Sequence, residues 1–282
     1  MMGTIVAIQL PRGGSEEALE RAFQWFSDVE RTCTRFDPES ELMRLTARAG
    51  EAVPASPVLF EAVRFAAGVA AETGGAFDPT IGGFMEARGF NRECRTGSDI
   101  RTPGLVEDAS YRDIELDEAR RTILLRKPLL LDLGAVAKGL AVDAAAHELA
   151  PHGDFAIYAG GDVFAGGANA AGQPWRVGIR HPRKPDGIMA CLLISDQAVC
   201  TSGDYERPGH ILDPRRGARK AASVASATVV APTALLADSL ATAAFVLGPE
   251  DGISLLRRMG VQGLIVTPDL ERFETAGLRY AD

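Results

Sequence analysis

The chain has 282 residues, of which 46% are hydrophobic and 24% are charged, a composition typical of globular proteins. Its 30 glycines and 16 prolines are too few for a collagen-like fibre or a low-complexity chain. The net charge of -8 argues against nucleic-acid binding, because proteins that bind a phosphate backbone usually carry a basic stripe. No repeat or long linker divides the sequence, so we predict one domain over residues 1–282.

The N-terminal segment predicts a strand over residues 4–10 rather than a targeting signal. A secretory signal begins with basic residues and continues into a longer apolar stretch, whereas here Pro11 ends the run and Arg12 is the first basic residue. No lipobox-like cysteine follows, and the longest uncharged stretch, 221–237, contains Pro232 and several hydroxyl residues. We therefore expect a cytoplasmic protein with no stable membrane association.

Two helices and three short strands are predicted in the first half of the chain. Apolar residues at spacings of three and four predict a helix that starts near Ser15. Ser56 and Pro57 form a helix-start signal, and this second helix is predicted to end at Gly74 and Gly75. A polar loop follows over 91–105, and the strands are predicted at 113–116, 122–126 and 129–131.

The second half mixes helices and strands without a regular alternation. A helix over 136–149 precedes strands at 155–158, 175–180, 189–194 and 224–230. Pro232 is predicted to open a helix that stops at Gly248, and a last helix over 250–259 is followed by a strand over 263–266. Because the βαβ rhythm of a parallel sheet is missing, the predicted fold class is α+β.

The cysteines and lysines are sparse, and their positions are informative. The four cysteines, Cys33, Cys94, Cys191 and Cys200, show no C-x-x-C spacing, so we expect reduced, mostly buried thiols rather than a zinc site. Only four of the thirty basic residues are lysines. Lys138 lies in an otherwise apolar segment, which indicates a specific role for its ammonium group.

The strongest local motif is L-D-L-G-A-V-A-K-G, from Leu131 to Gly139. A strand that ends on Asp132, a glycine turn and a new helix would present helix amides and Lys138 to an anion, while the carboxylate accepts hydrogen bonds from a ligand. The alternative is a strand–helix turn in which Asp132 only caps the helix. The motif alone does not decide between the two.

A second pair of candidate ligands lies on the helix that Pro232 opens. Asp238 and Thr242 are four residues apart, which places a carboxylate and a hydroxyl on one helix face. Such hard oxygen donors suit a cation that keeps waters and binds a substrate phosphate. An Asp and a buried Thr with purely structural roles would give the same pattern.

Three further motifs combine glycine turns with polar residues. They are G-G-A-F-D-P-T at 74–80, A-G-G-D at 159–162 and T-S-G-D-Y at 201–205. Each of them also fits an ordinary turn. Beyond the last motif, His210 opens a short apolar run, where it could act as a general base or serve as a structural histidine.

The order of these motifs is more specific than any one of them. The succession M-G-T, R-F-D-P-E-S, G-G-A-F-D-P-T, L-D-L-G-A-V-A-K-G, A-G-G-D, T-S-G-D-Y, H-I-L-D-P-R-R-G and A-D-S-L-A-T resembles the FAD:protein FMN transferase (ApbE) family. The similarity runs from Met2 to about Val266. The resemblance implies a single α+β unit related to the T-fold, with mixed or antiparallel sheets packed by helices and a deep FAD cleft.

The resemblance also implies an activity. Members of the family use FAD and Mg²⁺, attach FMN through a phosphoester to a Thr or Ser of an acceptor flavoprotein, and release AMP. Some relatives chiefly hydrolyse FAD to FMN and AMP, and a flavin-storage or flavin-delivery protein is a third interpretation. The presence of Asp238, Thr242 and His210 disfavours the third.

Carried over by position, the resemblance assigns three groups of site residues. The implied FAD-binding residues are Met2, Phe36, Ala76, Phe77, Asp78, Asp132 and Lys138. The implied metal ligands are Asp238, Thr242 and the main-chain carbonyl of Ala135, and His210 corresponds to the histidine that deprotonates the acceptor hydroxyl. The sequence departs from the family at Tyr158, where Asn is common nearby, and in the short segment before His210.

Overall fold

Helices and antiparallel strands alternate irregularly along the chain, which confirms the α+β class. The structure, a computed structural model, describes residues 2–92, 97–106, 108–184, 186–204, 209–215 and 223–282. The helices are α1 (Glu16–Cys33), α2 (Glu41–Thr46), α3 (Pro57–Glu72), α4 (Gly82–Ala87), α5 (Gly134–Leu149), α6 (Ala234–Leu247) and α7 (Pro249–Arg258). The strands are β1 (Val6–Gln9), β2 (Ala52–Pro54), β3 (Ile114–Asp117), β4 (Thr122–Leu125), β5 (Phe155–Ala159), β6 (Asp162–Gly166), β7 (Trp175–Arg180), β8 (Ile188–Ile194), β9 (Gln197–Gly203), β10 (Ser226–Ala231), β11 (Gln262–Val266) and β12 (Arg272–Glu274).

A seven-stranded sheet forms the centre of the fold, in the order β1-β5-β6-β9-β10-β11-β12. Each neighbouring pair in it is antiparallel. A small sheet, β2-β4-β3, and the hairpin β7–β8 complete the strands. Successive side chains of a strand point to opposite faces, so Ala227 and Val229 of β10 join the core beneath the helices, while Val230 joins the core beneath the hairpin. Both faces of the central sheet are therefore covered.

The helix layer combines an amphipathic helix with two helices that are apolar on most sides. Helix α1 buries Ala22, Phe26 and Val29 at helical spacing. Helix α6 follows the N-cap residue Thr233 and buries most of its residues, because it packs against α5 as well as against β9 and β10. This central position of α6 places Asp238 between the sheet and α5.

Helices α5 and α6 approach each other closely at Gly139. A Cβ atom built on Gly139 would lie 2.6 Å from the Leu235 Cα and 2.7 Å from the Ala234 carbonyl oxygen. The missing side chain therefore permits the contact between the two helices. This contact brings together the helices that carry Lys138 and Asp238.

We expect Gly139→Ala to lower the free energy of unfolding by about 1–3 kcal/mol, because the added methyl group forces the two helices apart. Gly68→Ala is the matched control, since Gly68 lies inside α3 with nothing within 4 Å of a built Cβ. Alanine at that position should be neutral or stabilise the protein by up to about 1 kcal/mol. Urea unfolding followed by circular dichroism measures both effects, and equal stability of the two variants would contradict the close-packing argument.

A carboxylate of α5 also caps the start of α6. The Asp143 carboxylate accepts hydrogen bonds from the backbone amides of Ala234 at 2.7 Å and Leu235 at 2.9 Å. The first amides of a helix have no partner within the helix, so this carboxylate supplies one. Burial raises the pKa of Asp143 to about 6, and this effect outweighs the two amide donors, which lower the pKa.

This raised pKa predicts a pH dependence of stability. The folded state binds the Asp143 proton more tightly than the unfolded chain, so the resulting stabilisation is complete below about pH 4 and is lost as the pH rises through the folded pKa. We expect the melting temperature of the wild type to fall relative to that of Asp143→Asn between acidic and neutral pH. Asp186→Asn, at an exposed position between β7 and β8, controls for the charge change, and parallel curves for the wild type and Asp143→Asn would disprove the assignment.

The predicted helices and strands are confirmed in type, with one exception, while residues 93–96 of the loop predicted over 91–105 lie outside the described residues. The strand predicted at 129–131 is wrong, because these leucines are buried but form no β-ladder. The Leu130 carbonyl instead accepts the Gly82 amide at 3.1 Å. Helix α6 begins after Thr233 rather than at Pro232. The elements absent from the prediction are α2, α4, β2, β6, β9 and β12.

Helix length and cysteine burial bear on two further expectations. Within the described part of the chain, no helix combines the length and apolar character that a bilayer crossing requires. Cys33 and Cys200 are buried free thiols and Cys191 is a half-buried one, as predicted, while Cys94 lies outside the described residues. Burial raises the pKa of Cys33 to about 12, so its thiol is unreactive at neutral pH.

Candidate functional site

Asp132 lies at the turn into α5, and both of its carboxylate oxygens are paired. Oδ1 accepts the Gly134 amide at 2.8 Å, and Oδ2 accepts Arg35 Nε at 2.7 Å. The Asp132 amide donates to the Pro79 carbonyl at 2.7 Å, which joins this turn to the 74–80 motif. Asp132 therefore organises its own turn, yet each oxygen retains a lone pair that a ligand donor can use.

Arg35 is a site residue that the sequence analysis missed. Its side chain is 5% exposed, and its guanidinium lies 4.2 Å from the centre of the Phe36 ring. One terminal nitrogen, Nη2, donates to the Phe90 carbonyl, whereas Nη1 is buried without a hydrogen-bond partner among the described residues. Because a buried charge must be paired, the ion pair with Asp132 holds Arg35 in place, and the Arg35 guanidinium in turn contacts the Phe36 ring.

Lys138 lies near the start of α5, between carboxylates from two other elements. Its Nζ donates to Asp162 Oδ2 on β6 and, at 2.8 Å, to Asp238 Oδ2 on α6. The Asp162 side chain is 3% exposed and the Asp238 side chain is 10% exposed. Two carboxylates around one ammonium leave an excess negative charge in a mostly buried place, which favours binding of a further cation.

The predicted metal ligands supply hard oxygen donors. Asp238 and Thr242 share one face of α6, and Thr242 Oγ1 is 3.0 Å from Ser202 Oγ on β9. Ala135 has φ -91° and ψ 17° inside α5, which turns its carbonyl by roughly 60° from the helical direction. A carboxylate, a hydroxyl and such a carbonyl form a donor set that fits Mg²⁺.

The fit does not depend on a cluster of acidic side chains. Across the described ranges, no group of three or more His, Cys, Asp or Glu residues could hold a metal ion. A site with one carboxylate leaves positions for phosphate oxygens and water, which is the usual coordination of Mg²⁺ in phosphate-transfer sites. Lys138 pairs with Asp238, so a cation bound to Asp238 would compete with the ammonium for the same carboxylate.

In the 74–80 motif, Asp78 caps a short 3₁₀ turn. Its Oδ1 accepts the amide and the hydroxyl of Thr80 at 2.9 and 2.8 Å, and its Oδ2 accepts the Tyr111 amide at 3.1 Å. Burial raises the pKa of Asp78 despite these donors. Ala76 and Phe77 are 1% and 5% exposed and belong to the main core. The structure therefore gives all three predicted FAD residues of this motif a packing or capping role.

The N-terminal residues lie against the turn that leads into Asp162. The Gly160 amide donates to the Ile5 carbonyl at 3.2 Å, and a Cβ atom on Gly160 would lie 2.5 Å from Thr4 Oγ1. Gly160 also has φ 57°, so the backbone conformation and the close approach both require glycine. Met2, two residues before Thr4, is half-buried against the main core.

His210 is one-third exposed and lies near a carboxylate. Its Nδ1 is 4.0 Å from Asp204 Oδ1, which also accepts the Gly209 amide. Further along, Asp213 is buried and accepts two hydrogen bonds of 2.9 and 3.0 Å from the Arg215 side chain and one of 3.1 Å from the Arg215 amide. An accessible imidazole beside a carboxylate has the arrangement that a general base needs. The intervening residues 205–208 and the end of the H-I-L-D-P-R-R-G motif lie outside the described residues.

Two hollows in the surface lie away from these groups. One of about 300 Å³ lies between α7 and β12, and another of about 320 Å³ lies beside α2 and the start of α3. Neither is lined by a residue predicted for the site. The FAD cleft that the resemblance implies therefore stays a prediction.

The fold and the site together define a class of protein. An antiparallel sheet backed by α5 and α6 holds a lysine and a carboxylate where the two helices meet, and the hydroxyl of Thr242, one turn further along α6, lies against β9. An ammonium beside hard oxygen donors is a combination that can contact phosphate oxygens and a divalent cation.

Comparison with known proteins identifies the family within that class. The ApbE family profile matches residues 2–265, and the chain belongs to the ApbE family. The FAD:protein FMN transferase of Rhodobacter capsulatus is 31% identical over an alignment of 298 positions, gaps included, which covers 99% of this chain and 56% of that relative. The FAD:protein FMN transferase of Treponema pallidum is 33% identical over an alignment of 312 positions, which covers 99% of this chain and 86% of that relative.

A solved structure shows the same fold. The crystal structure of the ApbE protein from Thermotoga maritima matches with a TM-score of 0.84 and 28% identity, covering 98% of this chain and 94% of that one. The family and the fold predicted from the order of the motifs are therefore confirmed, and the curated relatives named above are transferases.

Proposed function

We propose that this protein is an FAD:protein FMN transferase that acts as one domain over residues 1–282. In the proposed reaction, a Thr or Ser hydroxyl of an acceptor flavoprotein attacks the FMN phosphorus of FAD, forms a phosphoester and releases AMP. Family membership supports this function. The structural observation that carries it is the ion pair between Lys138 on α5 and Asp238 on α6. Thr242 lies one turn after Asp238 on α6.

The ion pair matters because the pyrophosphate of FAD is anionic on both sides of the bond that breaks. When bound, Mg²⁺ would act as a Lewis acid that polarises the phosphate oxygens and as a template that orients them. Asp238, Thr242 and the carbonyl of Ala135 are the residues proposed to hold it. Lys138 lies on the same turn of α5 as Ala135 and is proposed to donate its ammonium hydrogens to a phosphate oxygen.

The rest of FAD is proposed to lie along the turn at Asp132. That carboxylate is fixed by Arg35 and by the Gly134 amide, so it offers an acceptor of fixed direction to a donor of FAD. The Phe36 ring, held by the Arg35 guanidinium, offers a flat apolar face. The remaining residues proposed to line FAD are Met2, Ala76, Phe77 and Asp78.

His210 is proposed to act on the acceptor. An alkyl hydroxyl is a weak nucleophile near neutral pH, and a base within hydrogen-bond reach contributes roughly 10²–10⁴-fold. His210 would remove the hydroxyl proton as the oxygen attacks phosphorus. The Asp204 carboxylate, 4.0 Å from Nδ1, would stabilise the imidazolium that results.

One experiment separates the proposed transfer from its alternatives. The protein is incubated with FAD, MgCl₂ and a peptide that carries an acceptor Thr, and peptide mass and free flavin are then measured. A peptide that gains the mass of FMN less one water, as phosphoester formation requires, supports transfer. FMN and AMP without peptide modification support FAD hydrolysis, and unchanged FAD supports storage or delivery. The same peptide with Thr replaced by Val is the matched control, and it should stay unmodified.

A further inference from the structure

Asp162 carries a charge into a buried position at one end of the central sheet. It is the first residue of β6, between Ala159 of the main core and Val163 of the core beneath the hairpin. Its side chain is 3% exposed and receives a hydrogen bond from Lys138 Nζ. A buried carboxylate is strongly destabilising without a partner. The position of Asp162 is therefore stable because Lys138 pairs with it.

The two carboxylate partners of Lys138 differ in their surroundings. Asp162 is buried at the start of β6, next to the Gly160-Gly161 turn, whereas Asp238 lies on the helix face that also carries Thr242. In the structure, the ammonium lies 2.8 Å from Asp238 Oδ2. It thus occupies one of the two oxygens that a divalent cation would use, and it repels such a cation electrostatically.

We propose that Asp162 is a positioning residue that retains Lys138 when a divalent cation binds Asp238. This inference rests on the proposed function and deepens it. When the cation takes Asp238, the ammonium keeps Asp162 as its partner and stays at the edge of the site as a second positive charge toward phosphate. Without the Asp162 charge, Asp238 must neutralise Lys138, and a cation has to break that pair in order to bind.

The test measures the divalent-ion affinity of the protein without FAD. Mn²⁺ is the probe, because it binds the same oxygen donors as Mg²⁺, and the free ion is counted by electron paramagnetic resonance. We expect Asp162→Asn to bind Mn²⁺ at least roughly tenfold more weakly than the wild type. Asp186→Asn removes the same charge at an exposed position between β7 and β8 and should retain the wild-type affinity for Mn²⁺.

A double variant keeps the test decisive if Asp162→Asn does not fold. Lys138→Met combined with Asp162→Asn removes both charges of the buried pair, so it leaves no unpaired charge inside the protein. We expect it to bind Mn²⁺ at least as tightly as the wild type, because no ammonium then competes for Asp238. Recovery in the double variant would show that Lys138 transmits the effect of Asp162.

Three results would overturn the inference. If Asp162→Asn has wild-type Mn²⁺ affinity and only a lower melting temperature, Asp162 is merely a structural partner of Lys138. If the double variant binds tenfold more weakly than the wild type, the ammonium is not a competitor. If the wild type binds Mn²⁺ no better than Asp238→Asn, the metal site of the proposed function fails and the inference fails with it, whereas the first two results leave that site intact.

Discussion

Asp238→Asn is expected to remove most FAD turnover while leaving the fold nearly intact. The Asp238 carboxylate is the charged member of the proposed ligand set, and an amide is a weaker ligand for Mg²⁺. Lys138 keeps its pair with Asp162 in this variant, so no buried ammonium loses all of its partners. The charge stabilisation that a metal supplies is worth several kcal/mol, which corresponds to a rate loss of roughly 10²-fold or more.

The measurement is FAD consumption at limiting Mg²⁺, with melting temperatures taken on the same samples. Ser239→Ala is the matched control on the same helix, because the Ser239 hydroxyl donates to the carbonyls of Leu235 and Leu236 instead of facing Thr242. Its turnover should stay near that of the wild type. If Asp238→Asn consumes FAD at the wild-type rate in limiting Mg²⁺, the metal has been assigned to the wrong residues.

The elements that the sequence predicts well are those with strong local signals. The sequence predicts helix starts at Ser15 and Ser56, and in the structure their side chains accept hydrogen bonds from the amides of Ala18 and Leu59. Apolar periodicity then identifies the buried face of these two helices. Both signals lie within a few residues of the feature they define, so a single sequence suffices to find them.

The elements that the sequence does not predict depend on contacts between distant segments. Strand β9 contains small and polar residues, Thr201 and Ser202 among them, and β6 begins with a charge after two glycines. Their strand character follows from pairing with each other and with β5 and β10. Conversely, residues 129–131 are buried without forming a strand. A short apolar run is compatible with more than one backbone structure.

The candidate site shows the same division. The order of the motifs identifies the family, but the partners of the predicted residues are far apart in sequence: Arg35 is 97 residues from Asp132, and Asp238 is 100 residues from Lys138. Asp162 ends the A-G-G-D motif at 159–162, and its charge beside an apolar run is the same signal that singles out Lys138, but the motif does not reveal its partner. Arg35 carries no such signal in an arginine-rich chain. The ligand contacts of these residues and the cytoplasmic location stay predictions.

His210→Ala is expected to slow flavin transfer by about 10²-fold or more while FAD and Mg²⁺ affinities are retained. The imidazole acts on the acceptor hydroxyl and not on the cofactor, so the loss should lie in the chemical step. The structure agrees with this role in two respects, since the side chain is 33% exposed and has a carboxylate 4.0 Å from Nδ1. A histidine whose role was only structural would instead be expected to pack in the core.

Three measurements on the same variant decide the role of His210. They are FAD affinity, melting temperature and the single-turnover rate of transfer to an acceptor peptide. His152→Ala, at an exposed position after α5, is the matched control and should change none of them. A structural histidine would lower the melting temperature and weaken FAD binding in proportion, with transfer unchanged once FAD is saturating. In that event the base is another residue, and Asp204 is the next candidate, because its carboxylate lies 4.0 Å from the imidazole that His210→Ala removes.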